Sequence, residues 1–179
     1  MNSTLQKYAI DPSHTSVEFL VRHMMLAKVR GRFTGVTGSF AVPQDGTLPT
    51  EIEAHIDTTS IDTREEQRDT HLKSADFLDA ATFPTIDFVS TKADGSDERF
   101  TMNGNLTIHG VTRPVALDVT FEGRATDPWG NQRIGFVAHT TISRKEFGLT
   151  WNQALETGGV LVGDDVRIEL NIEGILQTS

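Results

Sequence analysis

His14, His23, His55, His71, His109 and His139 have the widest chemical range in this chain, because imidazole can ligate a metal or move a proton near neutral pH. Their spacing supports neither role. No H-x-H, no H-E-x-x-H and no carboxylate at ligand spacing accompanies them, so no metal site is expected. A serine nucleophile would want a G-x-S-x-G elbow, which the chain lacks; Gly38-Ser39 lies inside a strand-like run. Glu65 and Glu66 are neighbours on a predicted helix and point apart, while Asp164 and Asp165 read as loop solvation, so neither makes a two-carboxylate site. Phosphate-cradling glycine loops are absent, and with no cysteine there is no thiol nucleophile. What remains is basic. Arg22, Arg32, Arg144 and Lys145 could each meet a phosphate or carbonyl head group at the open end of a lipid-filled barrel, or simply carry solvated charge. The residue chemistry argues for a binder over an enzyme, with no catalytic residue assigned.

The elements that must position these groups are set by length and pattern. A chain of 179 residues fits one domain, residues 1–179, and buries about two thirds of its unfolded surface. Its formal net charge of -9 sets up a field that repels phosphate backbones, so nucleic acid is not an expected partner. The N-terminal MNSTLQKYAIDPSHTS shows neither a basic n-region nor an apolar stretch of about 7 to 15 residues, and no run of about 18 apolar residues occurs. The expectation is a soluble, cytoplasmic protein.

Alternation with period two is the dominant signal. It runs through 51–58, 100–109, 115–122, 133–142 and 165–174, each with one apolar and one polar face. Less regular candidates lie at 15–23, 31–42 and 84–92, with a short piece near Tyr8, which makes about eight strands. Asp127-Pro128-Trp129-Gly130 has the composition of a type I turn joining two of them. In HGVTRPVALDVTFEG (109–123), Gly110 to Arg113 links two more, and the inward parity of Leu106 and Ile108 puts His109 on the polar side of a hairpin. His109 therefore reads as a turn residue. Thr63 and Glu66 have capping-box spacing and predict a surface helix of about three turns, docked by Leu72, Ala75, Phe77 and Leu78. Pro84 opens the next strand, and GGVLVGDD (158–165) reads as a mobile loop.

Eight antiparallel strands can form a packed sandwich or a closed barrel. Runs of about eleven residues at a tilt near 40° would make a barrel roughly 25 to 30 Å tall. The inward set comprises Phe19, Phe33, Ile52, Ala54, Ile56 and Phe88, then Phe100, Met102, Leu106, Leu117, Val119 and Phe121. Phe136, Ala138, Ile142, Ile168 and Leu170 complete the strands, with Phe77 and Phe147 from connecting segments. The small residues Ala54, Gly104, Ala138 and Thr140 would leave space, whereas the ten phenylalanines could fill it. The pattern by itself leaves packed and hollow interiors open.

Six stretches, IDPSHTSVEFLVRH (10–23), GRFTGVTGSF (31–40), SIDTREEQRDTHLKSADFLDAATFPTIDF (60–88), GNLTIHGVTRPVALDV (104–119), ISRKEFG (142–148) and GDDVRIELNIEG (163–174), together resemble the YceI-like polyisoprenoid-binding family. The resemblance implies an all-β fold with one short helix: an extended eight-stranded antiparallel lipocalin-like β-barrel. It also implies a tunnel for a long isoprenoid such as a polyprenyl pyrophosphate or an isoprenoid quinone, lined by the inward set above, with no cofactor required. Many relatives are exported to the periplasm, from which this chain departs in showing no leader. Homodimers are common among similar proteins, and a lipid that starts in a bilayer brings transient membrane contact with it. Two other readings stay open: a lipid-ester or metal-dependent hydrolase on the same scaffold, and a ligand-free sandwich that binds a protein through its polar face.

Overall fold

The computed structural model describes residues 3–178. Eleven strands and one helix follow the chain: β1 (Leu5–Ile10), β2 (Ser16–His23), β3 (Ala27–Phe33), β4 (Val36–Pro43), β5 (Thr50–Asp57), β6 (Ile61–Asp62), α1 (Glu66–Lys73), β7 (Thr85–Gly95), β8 (Arg99–Ile108), β9 (Val111–Thr126), β10 (Gln132–Ser143) and β11 (Val162–Leu176). Their sheet order is β1-β4-β5-β7-β8-β9-β10-β11, and β1 also pairs with β11, so eight strands close a ring. Beside the first part of β11 the ladder continues through β2, β3 and β6. The three extra strands prolong existing ones. Chain breaks between β1 and β2, β3 and β4, and β5 and β6 interrupt long staves without changing their neighbours. Asp11 makes the first break, its carboxylate accepting from the Ser13 N–H at 3.0 Å to start a single 3-10 turn. The result is an up-and-down antiparallel barrel.

Local chemistry explains the two hairpins that follow β8 and β9. Ile108 pairs with Val111, leaving His109 (φ 56°) and Gly110 (φ 73°) as a two-residue turn of the mirror-image type that matches strand twist. The His109 ring packs on Phe83, with centroids 4.9 Å apart. Between β9 and β10, the Gly130 N–H donates to the Asp127 carbonyl at 3.1 Å, and the Asp127 carboxylate accepts from the N–H groups of Trp129 and Asn131. A one-residue shift between Gly135 and Phe136 sets Phe121 opposite Phe136 and Gly123 opposite Gly135, with Glu122 as the extra residue of a bulge.

Three expectations are corrected. Thr63 does not cap the helix: Glu65 does, accepting from the N–H groups of Gln67 and Arg68, and α1 is two turns long. Thr63 is buried, its N–H and hydroxyl donating to Asp69, and Arg68 returns to the Thr63 hydroxyl and carbonyl at 2.7 Å each. A longer acidic side chain at position 65 reaches the orphan N–H groups that the shorter threonine was expected to take. Within 158–165, Val162 onward is already strand, and only 158–161 belong to the loop. Gly104 leaves no gap, because a methyl there would come within 2.3 Å of the Phe88 ring that lies over it. Phe19 covers Gly31 and Phe40 covers Gly174 in the same way.

Candidate functional site

The interior of the barrel is a cavity of about 590 Å³, in the range of pockets that enclose small ligands. Apolar side chains from the inward faces of the strands make most of its wall. On β11 the lining runs from Val162 to Ile172. That is about 33 Å of strand, or about 25 Å along a barrel axis inclined near 40°.

One end is blocked. Phe40, Phe100 and Phe136 form a floor, with the Phe136 ring edge-on to the other two at 5.9 and 6.0 Å. Tyr8 stacks on Phe40 at 5.6 Å and is buried outside the cavity with Val42 and Ile134. Outside that floor, Arg133 joins Asp11, Asp127 and Glu173 by ion pairs of 2.8, 2.8 and 2.9 Å. The guanidinium holds the Asp11 and Asp127 carboxyls well below the usual carboxylate range, against the opposing pull of burial. Asp11, His14 and Glu173 lie within 4.8 Å of one another, a trio that sequence spacing did not reveal because Glu173 arrives from the far end of the chain. Arg133 already bridges both of its carboxylates, so the arrangement is that of an ion-pair clamp.

The opposite end is polar and looser. Thr63, Gln67, Arg68 and His71 reach the cavity from α1 and its approach, and Trp151 and Leu161 reach it from the long connection between β10 and β11, next to Val162 at the start of β11. The His71 ring sits edge-on to Trp151 and Phe77, with centroids at 4.7 and 5.0 Å, and its Nε2 lies 2.8 Å from Asp76. None of these except Phe77 was expected as lining. Helical period in the polar segment 63–71 gave no inward signal, since its cavity-facing side chains are themselves polar.

The structure places the expected lining as follows. Phe19, Phe33, Ile52, Ala54, Ile56, Phe77, Phe88, Phe100, Met102, Leu106, Leu117, Val119, Phe136, Ala138, Ile142, Ile168 and Leu170 all face the cavity. Phe121 and Phe147 do not. Phe121 packs on Phe136 at 5.8 Å with the Arg124 guanidinium over its ring, on the floor side of the bore. Phe147 is buried in a second cluster with Ile61, Leu78 and Ile86. It ends the 3-10 turn Arg144–Phe147 that follows β10, where strand parity no longer applies.

The four basic candidates separate as sharply. Arg32 is exposed and paired with Asp62 at 3.2 Å, away from the cavity. Lys145 is exposed and also off the wall. Arg22 stands at the rim. Arg144 lines the cavity and is only 3% exposed. Its guanidinium donates to the carbonyls of Gly163, Leu149, Trp151 and Val162 at 2.8, 2.6, 2.9 and 3.3 Å. Burial pulls its pKa down, partly opposed by the nearby charge of Asp164. Asp164 is in turn held below the ordinary range, chiefly by the Ser143 hydroxyl and the Lys145 N–H. Four of the five guanidinium N–H groups are thus committed to shaping the mouth.

A YceI-like domain model matches residues 8–174. The chain belongs to the YceI-like family. A UPF0312 protein of Vibrio vulnificus is 36% identical over 171 residues, covering 94% of this chain and 86% of the relative. One from Pectobacterium atrosepticum is 34% identical over 171 residues, with 96% and 86% coverage. Among solved structures, Burkholderia cenocepacia BcnA superposes with a TM-score of 0.79 at 20% identity over 92% of this chain and 98% of that one. A polyisoprenoid binding domain from Saccharophagus degradans gives 0.72 at 15% identity over 95% and 98%. These two solved structures share the barrel fold of this chain.

Proposed function

We propose that this protein binds and carries a single long-chain isoprenoid lipid, tail toward the aromatic floor and head group at the mouth. The observation that carries the reading is the one-ended, almost wholly apolar bore about 25 Å long. A narrow apolar tube of that length suits an unbranched or isoprenoid tail and, away from the mouth, offers a sugar or nucleotide few hydrogen-bond partners. The polyisoprenoid binding domain of Saccharophagus degradans supports the choice of lipid class through its shared fold. The polar groups gather where a head group would emerge. Arg22 at the rim, Arg68 on α1 and the uncommitted N–H of Arg144 are cations that line the cavity, and each would suit a phosphate or a quinone carbonyl.

Burying one five-carbon unit out of water is worth about 4 kcal/mol. Eight units would give about 30 kcal/mol, beyond observed affinity limits, so water is the wrong reference state. A polyprenyl tail starts in a bilayer that is already dry, and its transfer into an equally dry bore is close to neutral. The reading is therefore of exchange between protein and membrane, with no chemical step. Native mass spectrometry of protein purified from its own host, followed by organic extraction, tests it. One isoprenoid per chain is expected; a protein that takes up no lipid from isoprenoid-containing vesicles refutes it.

A further inference from the structure

The hairpin joining β2 and β3 ends in His23-Met24-Met25-Leu26-Ala27, and its apolar tip projects into solvent: Met25 is 60% and Leu26 83% exposed. Val160, also exposed, lies on the neighbouring loop, and the Met24 N–H donates to the Leu161 carbonyl at 2.8 Å. The tip is therefore part of the cavity mouth, since His23 and Leu161 both line it. Met24 and Met25 hold φ of 54° and 60°, a conformation in which side chains other than glycine, asparagine and aspartate are costly. The turn thus spends backbone stability on displaying two thioethers where a polar Asn-Gly pair would fold more easily.

Charge singles out the same hairpin. Residues 19–32 contain Arg22, Lys28, Arg30 and Arg32 and no acid, whereas the rest of the chain sets the other 12 Lys and Arg against all 25 Asp and Glu. Arg30 and Arg32 are paired on the barrel wall with Glu18, Glu169 and Asp62. Arg22 and Lys28 are direct cross-strand partners next to the tip, and neither joins an ion pair among the described residues. Like charges set opposite each other in a ladder repel. An anionic surface brought against them would relieve that repulsion as the apolar tip loses contact with water.

We infer that the β2–β3 hairpin is a membrane-docking prong that seats the cavity mouth on an anionic phospholipid bilayer. Met25 and Leu26 enter the head-group boundary, and Arg22 and Lys28 engage lipid phosphates. The inference rests on the carrier reading above and adds to it the surface through which exchange would take place. Docking by this end sets the bore mouth against the membrane and leaves the blocked floor in solution.

Flotation with phosphatidylcholine vesicles, with and without about 30% phosphatidylglycerol, tests it. Wild type should float with the anionic vesicles and release in high salt. M25D/L26D, in which aspartate tolerates the turn conformation, should lower partitioning at least tenfold, and R22Q/K28Q about thirtyfold. Trp129→Ala, which alters an exposed aromatic at the opposite end, should change nothing. Thermal melting of each variant establishes that it is folded. Wild type that stays with the soluble fraction, or M25D/L26D that floats like wild type, overturns the inference. So does light scattering that shows a dimer dissolved by M25D/L26D without flotation, which would assign the tip to a second copy. Lipid content by mass spectrometry separates the two proposals: bound isoprenoid without flotation refutes only the prong, and flotation without isoprenoid uptake refutes only the carrier.

Discussion

Arg144 shows how a basic residue expected to meet a ligand can be taken up by structure. Its four carbonyl bonds tie the start of β11 to the connection that precedes it. Arg144→Met would leave buried carbonyls without donors and should cost about 2–4 kcal/mol in denaturant unfolding. Hydrogen exchange should accelerate across residues 149–163. Lysine should rescue only part of this, because three donors on a point charge cannot span the same fork. At the other end, the Arg133 pairs give a pH signature. Carboxyls with lowered folded-state pKa add stability above their unfolded value, near 3.8, and lose it as pH falls toward the folded value. Arg133→Gln should therefore lower the melting temperature near neutral pH, with the gap from wild type closing in strong acid. An unchanged gap between pH 6 and the acid limit would show that those carboxylates are not the cause.

Elements in this barrel are matched to one another by the removal of side chains as much as by their addition. Phe88 fills the space above Gly104, so Gly104→Ala must push the ring toward the bore. It should cost about 1–3 kcal/mol in thermal or chemical unfolding and reduce lipid capacity as well. Strand β10 provides a cleaner test. Ala138 is buried, faces the cavity and pairs with Val119 and Leu170. Ala138→Trp should fill the bore and lower lipid uptake while circular dichroism still reports a folded barrel. Unchanged lipid stoichiometry in that variant would refute the tunnel as the binding site. On α1, the Glu65 carboxylate caps two N–H groups, and Glu65→Ala should fray the helix by about 0.5–1 kcal/mol. Since α1 forms part of the mouth, faster lipid exchange is the expected functional reading.

At the scale of the whole molecule, polarity runs along the barrel axis: an aromatic floor braced by an ion-pair clamp, an apolar bore, and a polar mouth with an exposed basic hairpin beside it. A ligand that binds only the folded state stabilises it by mass action. Extraction of the lipid should therefore lower the melting temperature, and reloading from isoprenoid-containing vesicles should restore it; equal melting of both forms would argue against occupancy of the bore. Arg22 and Arg144 lie at the same end as the apolar tip, so under the carrier proposal exchange would take place by that end.

The clean alternation in 100–109, 115–122, 133–142 and 165–174 was enough to place the strands and their inward faces, because period two is enforced locally by the pleat. His109 was legible as a turn residue for the same reason. Phe147 was misread where that local rule ends, in a 3-10 turn after a strand, whereas Phe121 keeps its inward parity but packs on Phe136 on the floor side, off the cavity wall. Gly104 was misread because its space belongs to a residue on another strand. Whether the bore is hollow could not follow from alternation, since the same inward faces suit a packed core equally well. Ring closure between β1 and β11, and the stacking of aromatics on inward glycines, decided it in three dimensions. The mouth, too, is a tertiary product: polar side chains of α1, the Arg144 fork and the methionine hairpin lie far apart in sequence, and only closure of the barrel brings them to one end.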